Sequence, residues 1–268
     1  MYISELEIDF ENPRTLFKYR AFEWSALQSL IDNKVWLAIP KSFNDPFDCR
    51  FYIDREHSDE ELLEHLNFCA ETRCDTRRFT LEDIPQERQH YENMLTAFEE
   101  GVQNAGVYCL AATPFEPLMW AHYSGGHRGF CIEYERRQDN DLSVHNCFKV
   151  LYEDPMLPIF RGLDYFKEGM GVLLNIITYK AKSWGYEKEW RFLRMWKTSP
   201  GSEERSYRLN ARILSVSFGL RMPRRDALTV IRVLRHCTGI EFYQMSTIPE
   251  RLALKAVPFR FSEEELDT

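Results

Sequence analysis

The chain has 268 residues, 44% of them hydrophobic and 28% charged, which excludes a disordered, collagen-like or coiled-coil protein. Its 34 basic and 42 acidic residues leave a net charge of -8, which argues against a wholesale basic nucleic-acid binder. There is no apolar run of about 18 residues, so no membrane span is expected. The opening segment MYISELEIDFENPR lacks the apolar stretch of a signal peptide, and a cytoplasmic address is expected.

The seven cysteines are odd in number and include no CxxC pair, which fits reduced thiols rather than a disulfide framework. Cys109 and Cys131 sit inside apolar runs and read as small buried hydrophobes.

In chain order, Leu16 to Arg20 (LFKYR) reads as a first strand. Ser25 with Gln28 opens a helix through Leu27, Leu30 and Ile31, which Asn33 can close. VWLAI (Val35 to Ile39) reads as a strand ended by Pro40, and KSFNDPFD after it is dense in turn formers. Residues 56 to 104 hold 13 acidic and 4 basic residues and read as helical. Ser58 with Glu61 makes a capping box there, and Tyr91, Leu95 and Phe98 recur at helical spacing. Residues 55–105 are therefore expected to form an acidic helical insertion. It is either a solvated face or a partner-docking arm.

VYCLAA reads as a strand, LMWAHY as a short helix, and Gly125 with Gly126 as a turn. GFCIEY is the next strand, with FKVLYE (Phe148 to Glu153) as a candidate antiparallel neighbour. A helix is expected across Val172 to Ile177. EWRFLRMW and ILSVSFG read as strands, Pro223 to Cys237 as a helix, EFYQM as a strand, and KAVPF as an edge strand because of Pro258. The last seven residues are expected to fray. The fold class is α+β, a mixed or antiparallel β core in a single domain spanning 1–268, with the one helical insertion.

Four clusters at strand ends can carry chemistry. Arg20, after Lys18 and Tyr19, can clamp a phosphate or serve as a surface cation. Asn44 and Asp45 can fold the loop onto its own backbone or shape a pocket. Trp120 and Tyr123 share a helix face beside His122, which makes either a stacking platform or a packed helix. His122 and His127 are five apart, which is not helical zinc spacing, so no metal is expected. Glu187 and Glu189 are two apart and share a face if extended. They can then do acid/base work with separated titrations, or pair with Lys182, Lys188 or Arg191.

FKYR, PKSFNDPFD, LMWAHYSGGHRGFCIEY and KSWGYEKEWR, in that order, resemble the bacterial Domain of Unknown Function 2971 family. A second resemblance is to the ADP-ribosyltransferases, and it implies a split-sheet cleft that binds NAD as substrate. Arg20 would match their early NAD-binding residue and Ser42 a serine of their middle motif. Glu187-Lys188-Glu189 would match their Glu-x-Glu, with Glu189 catalytic and Glu187 assisting the acceptor. Tyr19, Asn44, Asp45, Trp120, His122 and Tyr123 would complete the NAD site. These resemblances imply an ADP-ribosyltransferase-like enzyme or NAD glycohydrolase, with a protein or nucleic-acid acceptor, in a toxin or anti-phage setting. Two alternatives stand beside it. One is a non-catalytic nucleotide-sensing or protein-interaction module. The other is a metal-dependent nuclease using Asp45, Asp48, His122 and Glu189.

Overall fold

The computed structural model describes residues 11–72, 74–153, 159–164, 170–196 and 199–267. Its centre is an eight-stranded sheet in the order β14-β13-β12-β5-β1-β4-β10-β6. The strands are β1 Thr15–Arg20, β4 Gly106–Ala111, β5 Phe130–Glu135, β6 Cys147–Lys149, β10 Glu189–Arg194, β12 Ile213–Phe218, β13 Glu241–Thr247 and β14 Leu254–Pro258. Neighbours run antiparallel except β12 and β13, which are parallel and joined by helix α7 (Arg224–Val233). That crossover is the connection parallel strands require. The architecture is thus α+β with a large, mostly antiparallel sheet.

Both faces of the sheet are covered. Leu16, Phe130, Ile132, Trp190, Phe192 and Phe218 point to one face, against α1 (Trp24–Ile31) and α7. α7 places Ala227, Leu228 and Ile231 on that core at helical spacing. Phe17, Tyr19, Ala111 and Cys131 point to the other face, where α4 (Pro117–Tyr123) docks Met119 and Trp120.

The acidic segment is helical as its sequence indicates. α2 is Asp59–Thr72 and α3 is Ile84–Asn104. The Ser58–Glu61 capping box forms, with reciprocal bonds of 2.9 and 3.1 Å. Leu62, Ile84, Tyr91 and Leu95 make a small core with Leu163 under these helices. Strands β3 (Tyr52–Asp54) and β8 (Ile159–Arg161) pair beside it. No helix among the described residues is long and apolar enough to cross a membrane. All seven cysteines are free thiols.

Four expectations are corrected. VWLAI contributes only a two-residue strand, β2 (Val35–Trp36), which pairs with β11 (Ser206–Tyr207). Its second half leaves that partner: Ala38 bonds Val107 of β4 in both directions, at 2.9 and 2.7 Å. One extended run is thereby divided between two neighbours.

FKVLYE does not pair with GFCIEY, because β5 already has β1 and β12 on its two edges. The run splits instead at Val150: β6 pairs with β10, and β7 (Leu151–Glu153) lies parallel to β9 (Tyr179–Ala181).

The C-terminal segment is not frayed up to residue 267. It forms α8 (Glu263–Asp267), which buries Leu266, and Arg232 donates to the carbonyls of Glu265 and Leu266.

Glu187 and Glu189 do not share an extended strand. Glu187 ends a 3-10 turn (Lys182–Glu187), Lys188 is left-handed at φ 45°, and β10 begins at Glu189. Residues 1–10, 73, 154–158, 165–169, 197, 198 and 268 lie outside the described residues, and with them most of the opening segment on which the signal-peptide expectation rests.

Candidate functional site

The sheet opens between β1 and β4. β4 and β10 pair along six positions, and β1 and β5 along six, but β1 and β4 pair only at Phe17↔Ala111. Beyond that point the carbonyl of Cys109 has lost its strand partner. The Lys18 ammonium replaces it, donating at 2.8 Å. A buried backbone carbonyl needs such a partner, so the lysine makes the opening tolerable. Burial lowers the Lys18 pKa, with Arg20 adding to the fall and Cys109, Glu189 and Glu187 opposing it.

A pocket of about 100 Å³ lies at this opening, walled by Lys18 and Tyr19 of β1 and Cys109 to Ala111 of β4. Phe43, Asn44 and Asp48 enter from the loop after β2, Tyr123 from α4, Lys180 from β9, and Glu187 and Glu189 from the turn into β10.

Charged side chains form its floor. Lys180 Nζ donates to Glu187 Oε2 at 2.5 Å and to Glu189 Oε2 at 3.0 Å, and lies 3.4 Å from Asp48 Oδ2. The fully buried Arg191 guanidinium donates through Nε to Glu189 Oε1 at 2.8 Å. Its two terminal nitrogens hold both oxygens of Asp48, at 2.9 and 2.7 Å, and Nη1 reaches the Ile177 carbonyl at 2.5 Å. Tyr123 donates to Glu187 Oε1 at 2.6 Å, and the Glu189 backbone N–H donates to the Tyr152 hydroxyl at 2.8 Å.

Three carboxylates thus meet Lys180 and Arg191 directly, while the third cation of the pocket, Lys18, is turned to the Cys109 carbonyl. The two glutamates respond differently to this setting. Burial raises the Glu187 pKa, and the neighbouring charge of Glu189 raises it further, against Lys180 and Tyr123. Burial would raise Glu189 too, but Arg191 and then Lys180 overcome it and hold that carboxyl well below the usual range. Two neighbouring carboxyl groups whose titrations are driven apart are the physical requirement for separate acid/base roles.

An aromatic run flanks the same wall. Trp184 and Tyr186 have ring centroids 6.1 Å apart, and Tyr186 and His122 are 6.3 Å apart. His122 meets Tyr123 at 6.4 Å, and Lys180 Nζ sits 5.1 Å from the Trp184 centroid.

The predicted site residues divide clearly. Tyr19, Asn44, Tyr123, Glu187 and Glu189 come together at this pocket. The Tyr19 hydroxyl is committed to the Thr113 carbonyl at 2.8 Å, however. His122 is exposed on the aromatic run, outside the pocket.

Arg20 does not join them. Glu189 pairs with Ala111, and Ala111 with Phe17, which puts Glu189 on the Phe17 and Tyr19 face. Arg20 pairs with Phe130 and belongs to the opposite face. Trp120 is fully buried. It donates from its indole N–H to the Pro114 carbonyl at 2.7 Å and packs edge-on against Tyr19 at 5.1 Å, so it is core rather than a stacking platform. Ser42 bonds the Ile39 carbonyl at 2.7 Å, and Asp45 accepts from the Phe47 N–H at 2.9 Å; both stabilise local turns.

Of the four residues named for the nuclease alternative, Asp48 and Glu189 line the pocket and Asp45 and His122 do not. Among the described residues no group of three or more His, Cys, Asp or Glu is placed to hold a metal ion.

Sequence reasoning missed Lys180 and the full role of Arg191. The signal for Arg191 was present: a cation inside the apolar run EWRFLR has to find buried counter-charges. Nothing local points to Lys180.

No curated protein and no solved structure matches the chain. Residues 119–192 match the family model described as "Protein of unknown function (DUF2971)". That segment runs from α4 to β10 and contains Tyr123, Lys180, Glu187, Glu189 and Arg191. Over this segment the chain is similar to the DUF2971 family, the one its ordered motifs resemble.

Proposed function

We propose that the chain is an enzyme acting on the N-glycosidic bond of NAD, as an ADP-ribosyltransferase or NAD glycohydrolase. The observation that carries this reading is the placement of Glu187 and Glu189, both bonded to Lys180, in a pocket where β1 and β4 part. The opening resembles the split-sheet cleft expected of ADP-ribosyltransferases. The Glu-x-Glu spacing and the adjacent aromatic wall agree with a ring-bearing substrate.

The chemistry follows from the two carboxyl groups. As the ribose C1′–nitrogen bond breaks, its electron pair moves to the nicotinamide nitrogen and positive charge develops on the ribose. The ionised Glu189 faces that charge. Water or an acceptor hydroxyl then attacks C1′, and Glu187 in its ionised form takes the proton. A pocket of about 100 Å³ admits the nicotinamide end. Ligand pockets usually start near roughly 300 Å³, so the rest of the dinucleotide would lie along Tyr186 and Trp184. A cytoplasmic location and a toxin or anti-phage setting belong to the same reading.

One observation favours a second reading, a non-catalytic nucleotide-sensing module. Both oxygens of Glu189 are already held, one by Arg191 and one by Arg191 and Lys180 together. A carboxylate so neutralised stabilises a cation less. Measuring NAD binding beside nicotinamide release separates the two. Release that Glu187→Gln abolishes while binding persists supports the enzyme. Binding by wild type without release supports the sensor.

A further inference from the structure

The face of the sheet opposite the carboxylate pocket carries a larger cavity, of about 290 Å³. Arg20, Lys34 and Arg212 line it, and among the described residues no aspartate or glutamate does. In a chain of net charge -8 that is a marked local reversal. Lys34 and Arg212 are exposed and make no ion pair among the described residues. Arg20 keeps only a loose one, 3.8 Å from Glu23, with a 3.3 Å bond to Ser25.

The interior of the cavity is mostly apolar, with Leu30 of α1 and Ile132 of β5 among its walls. Ser29, Asn33, His236 and Thr238 add polar groups to its lining, and two phenols lie deepest in the protein. Tyr108 and Tyr134 are both about 95% buried, and their hydroxyls lie 3.4 Å apart, a long contact that leaves each oxygen free for another partner. The rings meet edge-on at 6.4 Å.

Cations at the rim, apolar walls and a paired donor/acceptor floor describe one kind of guest. It has an anionic head, a flat or apolar body, and adjacent hydrogen-bonding groups at its far end. We propose that this cavity binds a nucleoside monophosphate, with the phosphate at Arg20, Lys34 and Arg212 and the nucleoside against Tyr108 and Tyr134. The site is separate from the carboxylate pocket and does not depend on cleavage of NAD there. Burial raises the pKa of both phenols, so each remains a donor at neutral pH.

The test is calorimetric titration of the full chain with AMP, GMP, CMP and UMP in turn, and with inorganic phosphate. The expected result is saturable binding of at least one nucleotide. Arg212→Gln and Lys34→Gln, two exposed substitutions that leave the core untouched, should each weaken it about tenfold. Tyr134→Phe should weaken it several-fold, and Glu187→Gln, on the other face, should leave it unchanged. Three results would overturn the proposal: no nucleotide binds; inorganic phosphate binds as tightly as the best nucleotide; or binding is lost in Glu187→Gln and kept in Arg212→Gln.

Discussion

Arg191 and Asp48 form a buried two-pronged ion pair, with bonds of 2.9 and 2.7 Å across 143 residues of chain. It ties the loop after β2 to the centre of β10 and so holds one wall of the pocket against its floor. Removing one member of a buried pair costs about 3–5 kcal/mol when the other charge is left uncompensated. Glu189 still holds Arg191 when the Asp48 charge is removed, so Asp48→Asn should lose about 1.5–3 kcal/mol in urea unfolding, the range of hydrogen bonds to a charged group. A loss below about 1 kcal/mol, the range of exposed pairs, would show that the pair does not hold the pocket together.

Glu187 and Glu189 should give opposite pH signatures. Glu189 titrates lower when folded, so its stabilisation is present above the unfolded carboxyl value, near about 4.3, and is lost as pH falls below it. Glu187 titrates higher when folded, so the folded state holds its proton more firmly. Its contribution weakens as pH rises from the unfolded value through the folded one. Unfolding of wild type and Glu187→Gln should be compared from about pH 4 to about pH 8. The difference should move in favour of the glutamine variant as pH rises. A constant difference would mean that Glu187 keeps an ordinary titration.

Trp120 and His122 should separate in mutagenesis although they are two residues apart. Trp120 is fully buried, hydrogen-bonded and packed on Tyr19, so Trp120→Ala should cost about 3–5 kcal/mol in chemical unfolding. His122 is exposed, and His122→Ala should change stability by less than about 0.5 kcal/mol. Its effect should appear instead in NAD affinity. Equal destabilisation by both would contradict the division between core and aromatic wall.

Thiol labelling should follow burial. Cys49, Cys131 and Cys147 are buried, and burial raises the pKa of each. Cys74 is exposed. Under native conditions and mild alkylation, mass spectrometry should find Cys74 modified first and those three protected until the chain unfolds. Labelling of Cys131 or Cys147 as fast as Cys74 would contradict that order.

The strands LFKYR, GFCIEY, EWRFLR and ILSVSF were legible because alternation and β-branched or aromatic content mark them. Their neighbours were not, since a period of two says which residues share a face and is silent on which strand lies alongside. FKVLYE was mispaired for that reason. The same limit explains Arg20. Alternation puts Tyr19 and Arg20 on opposite faces, but only the β1–β4–β10 register shows that Glu189 shares the Tyr19 face. Trp120 was misread because a buried indole and a stacking indole look alike until the Pro114 carbonyl is seen. The convergence of Glu187 and Glu189 was foreseen by a different route from the one the chain takes, through a left-handed Lys188 rather than an extended strand.

The most direct test of the central claim is a count: molecules of nicotinamide released from NAD per molecule of protein, with water and protein acceptors supplied. Cleavage of NAD at the carboxylate pocket should release more than one per wild-type chain. The rate should be at least about a hundredfold lower in Glu187→Gln, the usual loss on removing a general base, with folding retained. No release from wild type, or equal release from the two proteins, would contradict that claim.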